Sequence, residues 1–334
     1  MKHKNILITG GAGFIGSCFL NLMVKKHTDI NFINLDLLTY ASNQNEIESL
    51  NNFNNYFFYK GDICDYELVT QIFNQHNIDG VINFAAESHV DNSITNPSDF
   101  IKTNVNGTFN LLKIAYDFWM KKPHILKNEF IHSKFHQIST DEVYGSILEG
   151  SFDENSSYNP SSPYSSSKAC ADMIVKSFNK TYGMPTLITL SSNNFGLHQN
   201  KEKFIPVILN SFKNRTAVPL YGNGKNIRDW ISVKDNCSAI ELVYFKGSVG
   251  ESYNIGGSNE LSNIELIKKL YAYFQQISNE SSNVKINFID DRFGHDFRYS
   301  VNTSKIKEKL NWSYSNSEFD DLLKSLVVSY FTKN

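Results

Sequence analysis

Seven residues near the start, Gly10-Gly11-Ala12-Gly13-Phe14-Ile15-Gly16, constrain the architecture more than any other stretch. They follow an apolar run at 6–9 and lead into a helical pattern in which Ile15, Phe19, Leu22 and Met23 share a face. A strand that runs through glycines straight into a helix opens a strand–helix–strand unit. Such units build a parallel sheet with helices on both faces. Gly10 permits the tight turn, Gly13 lets the backbone approach a pyrophosphate, and Gly16 lets the helix sit close on the strand. The first helical turn, with Phe14 and Ile15, then offers free N–H groups to phosphate.

The same alternation continues through the first half. Strand candidates fall at 32–36, 56–60, 80–85, 135–139 and 186–190, and Ile101, Val105, Thr108 and Leu112 share a second helical face. The fold class is therefore α/β, a doubly wound parallel sheet. Residues 121–134 read as a polar surface excursion. After residue 192 loops lengthen and glycines punctuate them at Gly222, Gly224, Gly256 and Gly257. Helices recur around Ile267, Leu270, Tyr271 and Phe274, and around Leu322, Leu323, Leu326, Val327 and Tyr330. A strand reads at 284–288 and a loop at 278–283. The expected division is a dinucleotide-binding domain at 1–192, with a returning segment near 228–255, and a smaller C-terminal α/β substrate domain at 193–227 and 256–334. A chain of 334 residues suits one large or two modest domains.

The formal net charge is −2, so no basic field calls for nucleic acid or a membrane surface as partner. Any phosphate must be met by a few placed arginines. The first strand begins so near Met1 that no leader is expected, and no apolar run approaches spanning length. Cys18, Cys64, Cys170 and Cys237 are scattered, which suits a reducing cytoplasm without disulfides. The nine histidines show no paired ligand spacing, and no metal is expected.

Asp36 ends the second strand, about twenty residues past the last glycine. A carboxylate there accepts hydrogen bonds from an adenosine ribose and repels a 2′-phosphate, favouring NAD over NADP. Asp62-Ile63 suits the adenine edge and face, although a capping aspartate fits the spacing nearly as well. Ala85 and Ala86, followed by Ser88, end the fourth strand where the nicotinamide half should lie.

The pattern Y-x-x-x-K occurs at Tyr56/Lys60, Tyr164/Lys168 and Tyr221/Lys225. Only Tyr164/Lys168 starts a helix, where the two side chains share a face. A lysine ammonium beside the phenol favours phenolate, making Tyr164 a base for a hydroxyl proton as hydride leaves the same carbon. Thr140 is placed to hydrogen-bond that hydroxyl. Asp141 and Glu142 follow at the end of an inner strand. Glu142 suits removal of a proton next to a new ketone, and a protonated Asp141 suits donation to a leaving hydroxyl. A solvated acidic pair is the plainer reading of the spacing alone.

With these residues in place the chain resembles the extended short-chain dehydrogenase/reductase group, and within it the nucleotide-diphosphate-glucose 4,6-dehydratase family. The likeness spans nearly the whole chain. It includes Leu38-Thr39-Tyr40-Ala41, Ala85 to Asp91, Thr140 to Gly145, Ser162 to Lys168, Ser192-Asn193-Asn194, Ile227 to Trp230, Tyr253 to Gly257 and Gly294-His295-Asp296. It implies a Rossmann fold, a homodimer through the helices near 101–118 and 164–178, and bound NAD. The implied reaction oxidises carbon 4 of the glucose, eliminates water across carbons 5 and 6, and returns hydride to carbon 6. It also implies that Asn193, Arg228, Asn263 and Arg292 hold the diphosphate, that Phe204, Pro219 and Tyr221 sandwich the base, and that Ser88, Lys203 and His295 join the substrate site. The run Val218-Pro219-Leu220-Tyr221-Gly222, with Asp229-Trp230, follows the deoxythymidine-type pattern, with UDP-glucose the next candidate substrate. Departures lie in the substrate half: Phe195 and Leu197 replace the usual tyrosine and proline, Phe293 and Phe297 the usual proline and arginine, and Phe204 the usual leucine.

Two other readings share the glycine loop. A nucleotide-sugar 4-epimerase has no use for an acid and base flanking carbons 5 and 6, which Asp141-Glu142 would supply. A non-catalytic binding protein has no use for Tyr164 and Lys168.

Overall fold

The computed structural model describes residues 4–278, 282–315 and 318–332. Seven strands form one parallel sheet in the order Ser252–Ile255, Thr186–Ser191, Lys134–Thr140, Gly80–Asn83, Asn5–Thr9, Asn31–Asp36, Tyr56–Lys60. The inner strands are buried along nearly their whole length, which is why they read as continuous apolar runs. Chain order reverses between Asn5–Thr9 and Gly80–Asn83, and that reversal opens a crevice at their carboxyl ends.

Each face of the sheet carries a core. On one side Phe19 and Met23 of the Phe14–Lys26 helix pack with Ile240 and Tyr244 of the Val233–Lys246 helix. On the other, Phe73, Leu111, Trp119 and Val175 join the helices Tyr66–His76, Thr108–Trp119 and Pro163–Tyr182. A third core, around Phe212, Trp230, Leu266 and Leu326, lies under the helices Phe204–Asn214, Asn263–Ser278 and Phe319–Thr332. Two small sheets accompany it, one of Glu260–Ser262, Ile227–Ser232 and Asn193–Phe195, the other of Val218–Tyr221 and Ile286–Ile289.

Several expectations shift. Leu22 and Ile101 are 37% and 47% exposed; the first helix buries Leu20 and Val24 instead. Residues Ile101–Gly107 form a π-helix, whose wider turn breaks the 3.6-residue periodicity, while Thr108 and Leu112 beyond it are buried. The 121–134 stretch is not only a polar excursion. Met120–Lys122 pairs with Ile125–Leu126, and Phe130 is buried. The fourth strand stops at Asn83, and the late strand lies at Ile286–Ile289 because its register is set by parallel pairing with Val218–Tyr221. Residues 279–281 of the expected loop lie outside the described residues. No described helix is long and apolar enough to cross a membrane.

Candidate active site

A cavity of about 360 Å³ runs along the carboxyl edge of the sheet, from the glycine loop to Thr140, Asp141 and Glu142. Gly10 has φ +67°, and a Cβ there would sit 2.5 Å from the Ala85 nitrogen. On Gly16 it would meet the Gly10 carbonyl oxygen at 2.3 Å. These glycines are close-approach positions. The Phe14–Lys26 helix opens on Gly13 without a capping side chain, so Phe14 and Ile15 bring uncapped N–H groups to the cavity wall. Asp36 accepts from the Ala12 and Leu38 amides, both at 2.8 Å, so it first builds the loop. Each carboxylate oxygen keeps a lone pair for a ribose hydroxyl. Asp62 accepts from Cys64 N at 2.9 Å and pairs with Lys102 at 3.1 Å, with Ile63 beside it in the wall. Ala85, Ala86 and Ser88 line the far side. A cradle that side chains would fill, uncapped amides and a carboxylate with spare lone pairs fit a dinucleotide such as NAD.

Two loops meet at the cavity's rim. Leu38 and His198 take positive φ in them. Tyr40 donates to Glu202 at 3.2 Å, and Asn43 donates to the His198 carbonyl at 2.9 Å. Among the described residues these cross-links strap the 37–43 segment to the 197–203 segment.

The chemistry-bearing wall is also locally determined. Ser162 and Ser165 form a reciprocal capping box, Pro163 occupies the first turn, and Gly183 ends the helix in the left-handed region. Tyr164 and Lys168 are thereby fixed one turn apart, both buried. The Lys134–Thr140 strand runs into a 3-10 turn over Asp141–Tyr144, where the Thr140 hydroxyl accepts from Glu142 N at 3.3 Å. The π-helix supplies Asn104, which bonds the Glu87 amide and carbonyl at 2.9 and 3.0 Å and the Ser167 hydroxyl at 2.8 Å. It pins the 85–88 segment to the tyrosine helix.

Burial, then the neighbouring Glu142 and Asp229, holds the Asp141 carboxyl well above the usual range. Its Oδ2 is buried without a hydrogen-bond partner among the described residues. Burial also raises Glu142, but Arg292, Arg228 and Lys203 oppose that shift. Lys168 departs from expectation. Its ammonium donates to the Ile138 carbonyl at 2.6 Å, and burial brings it down to about 8. The Tyr164 phenol is raised by burial, then by Glu142, with only the Thr140 hydroxyl among the larger influences lowering it. The lysine's proximity alone therefore does not ionise the phenol.

Asn193, Lys203 and Phe204 line the cavity, and Lys203 donates to the Ser88 carbonyl at 2.7 Å. Pro219, Tyr221, Arg228, Asn263, Arg292 and His295 lie outside its lining. Two of these meet at Asp91, just past Ser88, and His295, bonded to Asp291 at 2.6 Å, stands beside one of them. Tyr221 donates to it at 3.1 Å, Arg292 stands 3.6 Å away, and the His295 ring lies 6.2 Å from that of Tyr221. Arg228 is buried over the Tyr299 ring at 4.2 Å and bonds the carbonyls of Ile227 at 2.7 Å and Asp296 at 2.9 Å. Pro219 is exposed on its strand, and Asn263 is buried at the start of its helix. Sequence reasoning passed over Asp91 as the hub of this cluster, and Glu202 and Asp172. Only Asp172 carries a local signal, its spacing of four from Lys168.

The sequence profile described as GDP-mannose 4,6 dehydratase matches residues 7–326. A dTDP-glucose 4,6-dehydratase of Haemophilus influenzae is 44% identical over 316 residues, 92% of each chain. The chain belongs to the dTDP-glucose 4,6-dehydratase family. This dehydratase is accordingly an NAD-dependent hydro-lyase on the extended short-chain dehydrogenase/reductase fold. A dTDP-glucose 4,6-dehydratase from Bacillus anthracis, solved in complex with NAD, matches with TM-score 0.86 at 40% identity, over 99% of this chain and 97% of that one. A UDP-glucose 4-epimerase from Thermotoga maritima shares the fold at TM-score 0.83, over 98% and 99% of the two chains, but only 26% of the sequence.

Proposed function

We propose that this dehydratase converts dTDP-glucose to its 4-keto-6-deoxy sugar with the following division of labour. Bound NAD supplies the hydride acceptor for the first step and the donor for the last. Tyr164 takes the proton of the carbon 4 hydroxyl, with Thr140 hydrogen-bonded to the same oxygen. The ketone so formed acidifies the hydrogen on carbon 5. Glu142 removes that proton, and Asp141 protonates the hydroxyl leaving carbon 6. Lys168 supplies the positive charge beneath the tyrosine. The observation that carries this reading is the pairing of a buried Asp141 with a half-buried Glu142 beside Tyr164, the first held well above the usual carboxyl range by burial and neighbouring anions, the second with Arg292, Arg228 and Lys203 opposing its rise.

Gly10, Gly13, Phe14, Ile15, Gly16, Asp36, Asp62, Ile63, Ala85, Ala86 and Ser88 hold the cofactor, with Tyr164 and Lys168 against it; Asn193, Lys203 and Phe204 begin the substrate site, which continues past Ser88 to Tyr221, Arg292 and His295. Segments 1–192 and 228–255 serve the cofactor, and 193–227 and 256–334 the nucleotide; the third core supports this split for most of its length, while Trp230 joins the third core and Val301, Ile306 and Trp312 pack into the cores on the sheet. The enzyme works as a homodimer in the cytoplasm. Ile101, Phe109 and Met173, apolar and exposed near or on the two helices concerned, support that pairing. Incubation with dTDP-glucose tests the reading: a keto sugar lighter by one water is expected, and unchanged or merely epimerised sugar would refute it.

A further inference from the structure

Asp172 lies one turn beyond Lys168 on the Pro163–Tyr182 helix, and the reaction as drawn above leaves it without a task. It is 0% exposed. A buried carboxylate is unfavourable unless hydrogen-bonded or paired with charge. Its Oδ2 accepts from the Ser139 hydroxyl at 2.5 Å and from the Tyr158 hydroxyl at 3.3 Å. Its Oδ1 has no hydrogen-bond partner among the described residues. Lys176 supports the group from the outside, donating to the Tyr158 hydroxyl at 3.1 Å. Ser139 immediately precedes Thr140, so the Ser139–Asp172 bond ties the helix of Tyr164 and Lys168 to the strand of Thr140 and Asp141.

Lys168 has the complementary difficulty. It is 3% exposed, and its one hydrogen-bond acceptor among the described residues, the Ile138 carbonyl, is neutral. We propose that Asp172 is a positioning residue for the reaction: its buried carboxylate keeps Lys168 in the charged form and, through Ser139, fixes the lysine's helix against the acid–base strand. The inference rests on the role given to Lys168 above. The groups facing Asp172 are Lys168, Lys176 and the Tyr164 phenol from its own helix, Ser139 from the strand, Tyr144 from the turn after it, and Tyr158 from the preceding loop. Of these only the two lysines are cationic at neutral pH.

The sign follows. Burial pushes the Asp172 carboxyl up to about 6, so above that pH it is anionic. Burial brings Lys168 down to about 8, and Asp172 is the charge opposing that fall. Removing the carboxylate lets the lysine lose its proton at lower pH.

The test is the pH profile of kcat for the NAD-loaded enzyme with dTDP-glucose. In Asp172→Asn the descending alkaline limb should move down by about one pH unit or more, and Asp172→Glu should bring it back toward the parent position. A merely structural role would lower kcat at every pH without moving the limb, and that result overturns the proposal. Lys168→Met separates the two levels of the argument. If it loses activity while Asp172→Asn keeps the parent profile, Asp172 is misassigned and Lys168 is not. If Lys168→Met retains the parent rate, the role of Lys168 fails and this inference with it. Should Asp172→Asn not fold, Ser139→Ala removes the shorter bond to the same carboxylate and should raise the pH at which activity first appears. An unmoved acid limb in a folded Ser139→Ala enzyme is equally fatal.

Discussion

Asp141 and Glu142 are adjacent in the chain but meet opposite electrostatic surroundings. Anions come next after burial for Asp141, whereas Arg292, Arg228 and Lys203 come next for Glu142. The two carboxyls should therefore fail separately. Glu142→Gln should abolish solvent deuterium incorporation at carbon 5. Asp141→Asn should keep that exchange and slow the loss of water, each effect being on the order of 10²–10⁴-fold. Mass spectrometry of sugar recovered from heavy water reads both; exchange surviving in Glu142→Gln would reassign the base.

Tyr164→Phe should act one step earlier. With the general base gone, oxidation at carbon 4 should slow by about 10²–10⁴-fold and no exchange at carbon 5 should appear, because no ketone forms to acidify it. Cofactor content should be unchanged. A variant that still exchanges carbon 5 at the parent rate would remove Tyr164 from the mechanism.

The protein should purify with NAD bound, since a cycle that returns its hydride has no need to release the cofactor. The strap from Tyr40 to Glu202 and from Asn43 to the His198 carbonyl predicts slow exchange. Tyr40→Phe combined with Asn43→Ala cuts both links and should lower nicotinamide occupancy after gel filtration. A strict requirement for added NADP would contradict Asp36 as the ribose ligand.

What is legible in the sequence is whatever short spacing enforces. The glycines, Tyr164 with Lys168, and the Thr140–Asp141–Glu142 turn each lie within one or two turns of chain, and the structure brings them to one cavity. Contacts made by distant pairing left little trace. The Ile286–Ile289 strand takes its register from Val218–Tyr221, and Ile101 points outward because a π-helix lies ahead of it. Lys168 is a subtler case. Spacing puts it one helical turn from Tyr164, but carries no sign of the Ile138 carbonyl that captures its ammonium.

dTDP-glucose should be preferred over UDP-glucose in kcat/KM. Phe204 in the cavity wall and Tyr221 beside Asp91 offer apolar surface for a thymine methyl. One methyl contributes about 0.8 kcal/mol by burial, so that contact alone gives a preference of only a few-fold. A clear advantage for UDP-glucose would overturn the nucleotide assignment and leave the dehydration chemistry standing.

Acid should destabilise the fold through His136. This imidazole is fully buried, bonds the Thr189 hydroxyl at 3.1 Å, and is held down to about 3 by burial and by Lys134. Its unfolded counterpart takes a proton near 6.5. Between those values the unfolded chain binds the extra proton, so this contribution to stability falls as pH drops below about 6.5, by about 1.4 kcal/mol per unit. His136→Gln should flatten the difference between urea midpoints at pH 7 and pH 5; an unchanged difference would assign the acid sensitivity elsewhere.

The outermost strand beside Thr186–Ser191 is Ser252–Ile255, which reaches the sheet only after the chain has supplied the Phe195–Trp230 part of the third core. During synthesis, a chain that has passed residue 191 but not reached residue 255 has an open Thr186–Ser191 edge. An open edge rich in Leu, Ile and Thr is a template for strands from neighbouring nascent chains. Slow decoding or premature termination within 192–251 should therefore produce insoluble protein, not a shorter folded one.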